Sequence, residues 1–210
     1  MLKKIVFICM LAVILLIPTL SETTPTLSDQ AKTLFNEATS MDKTKTAIKQ
    51  INDLVEQGFD KLRADVMIAS LIANKASYDW NPLGQLGYAN ESIKKFEEIQ
   101  NNTPELATNK LYLYEFSYNR GITFSYFPSL LKDQTIILND LEKAEKLAVE
   151  LNITDEHELA ILYSRLIHMY KEKNQIQNAK IYAEKIITFK QNAKKMKDYK
   201  KQAKEILDRN

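Results

Sequence analysis

Apolar residues recur along this chain at intervals of three and four, the period of helices with one buried face. Ala31, Leu34, Phe35 and Ala38 form a first short stripe, with Ser28 placed to cap it, and Ala47, Ile48, Ile51, Leu54 and Val55 form a second, from about Lys43 to a stop at Gly58. Asp60 opens a third helix whose inward positions are small or aliphatic, Ala64, Met67, Ala69, Ile72, Ala73 and Ala76. The sequence Asp79-Trp80-Asn81-Pro82 ends it, because the residue before a proline is driven out of the helical region. Leu86, Ala89, Ile93, Phe96 and Ile99 predict a fourth helix from Leu83 to about Ile99.

Thr103 and Pro104 are a cap and first position for a fifth helix, rich in Tyr and Phe, that runs through Phe124 and closes at Phe127-Pro128. Ile137, Leu141, Ala144, Leu147 and Ala148 line a return helix. Thr154-Asp155-Glu156-His157 starts a seventh, with Leu159, Leu162, Leu166 and Tyr170 inward. After a turn at 174–177, Ala179, Ala183, Ile186 and Ile187 mark an eighth. The ninth, about Lys195 to Arg209, keeps only Tyr199, Ala203, Ile206 and Leu207 apolar, a sparse face suited to the end of a stack. No segment alternates with period two between turn residues, so the expectation is an all-α chain of antiparallel helical hairpins.

The first residues follow another logic. Lys3 and Lys4 precede an unbroken apolar run from Ile5 to Ile17, followed by Pro18-Thr19-Leu20-Ser21, the order of an export signal. Residues 1–21 are expected to be such a signal, cleaved after Ser21 or retained as an anchor. Residues 22–27, rich in Thr, Pro and Ser, are expected to be a disordered lead-in, and 28–210 one helical-repeat domain. This order predicts a chain sent to the periplasm, the cell envelope or the medium.

Composition reinforces the helical reading, since the 210 residues include 4 Gly and 5 Pro. Lys and Arg number 29 against 27 Asp and Glu, a near balance that argues against nucleic acid as a partner. The exception is the last helix, where Lys194, Lys195, Lys197, Lys200, Lys201 and Lys204 outnumber the acids. It reads as a solvated face, with a membrane surface or an acidic partner as the alternative. The single Cys9 lies in the apolar run, so 28–210 has no cysteine for disulfides, thiol nucleophiles or metal ligation.

Three hairpins superpose by their small and aromatic positions. In Tyr118-Asn119-Arg120-Gly121-Ile122-Thr123-Phe124 a glycine is followed three positions later by an aromatic. A four-then-three spacing recurs at Ile137, Leu141 and Ala144, at Ala89, Ile93 and Phe96, and at Ala179, Ala183 and Ile186. These segments resemble the tetratricopeptide repeat family, in a degenerate form similar to secreted bacterial members. Ala73 with Ala76, and Ile167 with Tyr170, are the counterparts of Gly121 and Phe124. The separations from Ala73 to Gly121 and on to Ile167 exceed the family's period of ~34 residues and match the ~40–47 of HEAT-like repeats as well.

The resemblance implies an α-solenoid whose first helices line a groove. Carried onto this sequence, the groove positions are Ser70, Asn74, Ser77, Tyr118, Asn119, Ile122, Ser125, Ser164, Arg165, His168 and Lys171. It also implies a non-enzymatic scaffold for a protein or peptide partner, or alternatively an accessory protein of a solute transporter that holds a small ligand. A closed cavity lined by Tyr118, Tyr126 and His168 would favour the ligand, and an open groove the polypeptide.

The residues themselves offer little covalent chemistry. The only histidines are His157 and His168, no Gly-x-Ser-x-Gly or phosphate-cradling glycine loop occurs, and no cofactor or metal is implied. His168 and Glu172, four apart on one helix surface, supply two metal ligands where a site needs more. An enzyme would require titratable groups converging in one pocket. Tyr112, Tyr114, Phe116, Tyr118, Phe124, Tyr126 and Phe127 encircle their helix, so some of these rings are expected outside the core.

Overall fold

The computed structural model describes residues 25–191 and 194–208; the predicted signal and residues 22–24 of the lead-in lie outside this range. Within it the chain is all-helical, with no strand among the described residues. The helices are α1 (Leu27–Glu37), α2 (Met41–Glu56), α3 (Lys61–Tyr78), α4 (Pro82–Asn102), the single turn α5 (Glu105–Thr108), α6 (Lys110–Ser125), α7 (Gln134–Glu150), α8 (Glu156–Glu172), α9 (Ile176–Ile187) and α10 (Lys194–Leu207).

Local chemistry fixes most ends where the sequence placed them. The side chains of Asp60, Asn81 and Asp155 accept backbone amides at the starts of α3, α4 and α8. Gly58, at φ +103°, takes the left-handed conformation that the turn after α2 requires.

Three ends differ from expectation. The first helix begins at Leu27 rather than after Ser28, because Thr26 and Asp29 form a reciprocal capping box, so Thr26 and Leu27 belong to the fold and not to a lead-in. The predicted fifth helix is two pieces. Asn109 accepts the amides of Leu111 and Tyr112 and starts α6 afresh, leaving Glu105–Thr108 as an isolated turn. The last helix buries Met196, a position absent from its predicted stripe.

Contacts define how the helices run. Tyr112 near the start of α6 meets Asp60 at the start of α3, and Thr123 near its end meets Ser70. Tyr114 of α6 reaches Glu158 of α8, Tyr78 at the end of α3 reaches Ala38 after α1, and Ser164 of α8 reaches Gln202 of α10. Thus α1, α3, α6, α8 and α10 are parallel, each packed on the next. The helices α2, α4, α7 and α9 run back between them: Lys110 at the start of α6 pairs with Glu150 at the end of α7, and Ser92 of α4 bonds the carbonyl of Ala69.

The interior is two apolar clusters that share α3. Ala64, Ile68, Leu71 and Ile72 face α1 and α2, whereas Val66, Ala69 and Ala73 face a larger cluster extending to Ile206 of α10. Phe96 is fully buried at the centre of the larger one, edge-on to Phe116 and Phe124 at 5.8 and 5.5 Å. Gly121 lets α6 approach α7, since a Cβ there would stand 2.9 Å from Leu141 Cδ2.

Candidate functional site

One face of the parallel helices holds a cleft of about 410 Å³. Its walls come from four of them: Ser28, Lys32, Phe35 and Asn36 of α1, Arg63, Val66 and Met67 of α3, Leu111, Tyr114, Glu115, Tyr118 and Asn119 of α6, and His157, Glu158 and Ile161 of α8. Phe59, Ile153 and Asp155 close the end where these helices begin. The cleft is partly open to solvent.

Charge in the cleft is arranged in pairs. The Arg63 guanidinium grips Glu115 through two contacts, Nε to Oε2 at 2.8 Å and Nη2 to Oε1 at 2.7 Å, a bidentate geometry that fixes both side chains. Burial raises the Glu115 carboxyl above its ordinary pKa, and Arg63 works against that shift. Tyr114 donates to Glu158 Oε1 at 2.6 Å, and Tyr118 donates to the Glu158 carbonyl at 3.4 Å. Burial, reinforced by Glu158, raises both phenols, which therefore act as neutral donors.

The residues predicted for the groove divide by depth. Tyr118 and Asn119 line the cleft, with Asn119 Nδ2 donating to the Glu115 carbonyl at 2.7 Å. Ser70 and Ser125 are buried: Ser70 accepts from Thr123 between α3 and α6, and Ser125 bonds the carbonyl of Ile122. Both are used in packing and turned away from solvent. Ile122 leans on the larger apolar cluster. Asn74 and Ser77 lie at the far end of α3, where Ser77 bonds the Asn74 carbonyl.

The α8 members also lie beyond the cleft. Arg165 stacks over the Tyr126 ring at 3.7 Å, Ser164 faces Gln202, and Lys171 sits in the last turn. His168 Nε2 is 3.0 Å from Glu172 Oε1 on a half-exposed surface, and burial lowers the imidazole pKa against the pull of Glu172. Tyr126 and His168 are not among the cleft's lining residues.

Sequence reasoning missed Lys32, Arg63, Glu115, His157 and Glu158 as one constellation. Arg63, Glu115, His157 and Glu158 occupy the same helix faces as the predicted groove positions, one or two turns earlier, whereas Lys32 lies on α1, which carried no predicted position. The signal that could have found them is that stripe extended toward the helix starts, together with the opposite charges of Arg63 and Glu115 at matching depths in parallel helices.

A second cleft of about 300 Å³ lies between the end of α4, the α5 turn, α6 and α7. Arg120 spans it, bonding Asp140 at 2.6 and 2.8 Å as well as Gln100. Ser117 Oγ beside it is buried without a partner. Among the described residues no three His, Asp or Glu side chains are grouped so as to hold a metal, and no helix is long and apolar enough to cross a membrane.

The fold and the cleft define an all-helical protein with a cleft walled by parallel helices. No family model matches the chain, and comparisons with curated proteins and with solved structures find no match.

Proposed function

We propose that this is a non-enzymatic, exported scaffold of the tetratricopeptide kind that holds a polypeptide against its parallel first helices. The observation that carries this reading is the cleft itself, to which four successive first helices each contribute a wall. Stacked hairpins with first helices on one side and return helices on the other are the architecture of an α-solenoid, whose concave face is its binding surface. The close approach at Gly121 supports the same register, and α10 serves as its capping helix. Export rests on the charged and apolar order of residues 1–21.

The lining suits a chain better than a single small molecule. Lys32, the Arg63–Glu115 pair and Glu158 line the cleft together with Phe35, Met67, Leu111 and Ile161, a mixture of charged and apolar side chains that suits a polypeptide. A volume of 410 Å³ also admits a small solute, but the cleft is partly open and neither Tyr126 nor His168 encloses it. Titratable groups do converge here, and two of the acids are already engaged, Glu115 by Arg63 and Glu158 by Tyr114.

Selection of peptides from a random library against the full chain tests the reading. Lys32 is exposed at the rim, so Lys32→Glu is expected to keep the fold and to weaken selected peptides about fivefold to tenfold at low salt. Peptides that bind wild type and variant alike would sink the proposal, as would a small molecule retained through purification and seen by native mass spectrometry.

A further inference from the structure

Large apolar side chains are exposed in an uneven way. Of the eight among the described residues, Tyr78, Trp80, Leu83, Tyr126, Leu130 and Ile136 flank the turns that follow α3 and α6. Because the first helices are parallel, those turns lie along one edge of the molecule. They are adjacent, since α3 packs on α6, and neighbouring helix axes stand roughly 8–10 Å apart.

The turn that presents Trp80 is built, not loose. Asp79 accepts the Asn81 amide at 2.8 Å, Asn81 accepts that of Leu83 at 3.1 Å, and Gln85 Nε2 donates to the Asp79 carbonyl at 2.7 Å. The Asp79 carboxylate sits where a Cβ on Gly84 would be, 2.0 Å from Oδ2, so this backbone is closed around its cap. Yet the turn holds Trp80 91% exposed and Leu83 77% exposed, and the next holds Leu130 84% exposed. A preorganised turn that keeps an indole and a leucine in water has a surface in view, because isolated rings of this size otherwise gain by folding back.

We propose that this edge is a peripheral membrane-docking surface, with Trp80, Leu83 and Leu130 entering the interfacial layer of a lipid bilayer. Three features select lipid over a folded protein. The apolar groups are highly exposed on separate turns, and neither cleft described above includes them. Trp and Tyr with aliphatic neighbours are the side chains that partition to the membrane interface. Lysines border the same edge: Lys75 over the Tyr88 ring, and Lys171 and Lys173 at the end of α8, placed to meet headgroup phosphates. Of the acids nearby, Asp79 and Asp133 are held by backbone amides and Glu172 is paired with Lys132. The contact is interfacial, as no described helix can span a bilayer.

Trp80 is the only tryptophan, so its fluorescence reports this edge alone. On adding vesicles of phosphatidylcholine mixed with phosphatidylglycerol to the full chain, the emission is expected to shift to the blue and to be quenched by brominated lipid. The double variant Leu83→Ser, Leu130→Ser, both at exposed positions, is expected to keep its circular dichroism and to lower the partition coefficient about tenfold or more. An emission unmoved by vesicles overturns the proposal. So does a partition coefficient, read by co-sedimentation with vesicles, that is unchanged in the double variant, which would place the lipid contact elsewhere on the chain, or a shift without lipid that grows with protein concentration, which would mean self-association. Lys32→Glu is expected to leave the shift unchanged, so this surface and the cleft stand or fall separately.

Discussion

The α1–α2 hairpin is fastened to α3 almost wholly by apolar side chains, whereas from α3 onward the helices are also tied by hydrogen-bonded charges. On the first side lie Ala31, Ala47, Ile51, Leu54 and Phe59 against Ile68, Leu71 and Ile72, with the Tyr78 hydroxyl to the Ala38 carbonyl as a polar tie. No ion pair among the described residues involves α1 or α2. On the second side Arg63 grips Glu115, Arg120 grips Asp140, and Tyr114 bonds Glu158. Apolar burial drives association without prescribing direction, while a bidentate pair specifies distance and angle together. The first hairpin is therefore held by quantity of contact, and the remainder by quantity and geometry.

The largest effect that would test this contrast is in the second region. Asp140 is almost fully buried, so Arg120→Leu strands its carboxylate, and a loss of about 3–5 kcal/mol in unfolding free energy is expected by chemical denaturation. A loss near zero would mean that the pair does not organise this half. Next comes Ile51→Ala in the smaller cluster. Removing a fully buried isoleucine is expected to cost about 2–4 kcal/mol. The cost should be local, with amide exchange in α1 and α2 rising about a hundredfold and that of α6 and α7 unchanged. Equal acceleration everywhere would show that the two clusters unfold as one. Smallest is Tyr78→Phe, expected to cost about 1 kcal/mol, read as faster exchange in α1.

Helix starts were legible where one side chain caps its own helix, as with Asp60 and Asp155. Thr26 with Asp29 was equally legible, but Ser28 competed for the role and the capping box three residues apart was overlooked. The break at Asn109 was hidden because an aromatic-rich stretch reads as continuous helix until an Asx side chain claims its amides. Buried and exposed aromatics separated as expected in kind, with Tyr114, Phe116, Phe124 and Phe127 inside and Tyr126 outside. Of the predicted groove residues, Tyr118 and Asn119 line the cleft. Its other members depend on which helices are neighbours, and α1 gave no repeat register from which Lys32 could be aligned with Glu158.

Since α1 is one wall of the cleft, the hairpin fastened almost wholly by apolar side chains also shapes that cleft. Were the proposed polypeptide held between Lys32 and Glu158, it would stiffen α1, and any swing of α1 away would loosen the grip by the same free energy. A melting curve of α1 and α2, followed alone, would thus serve as a gauge of occupancy.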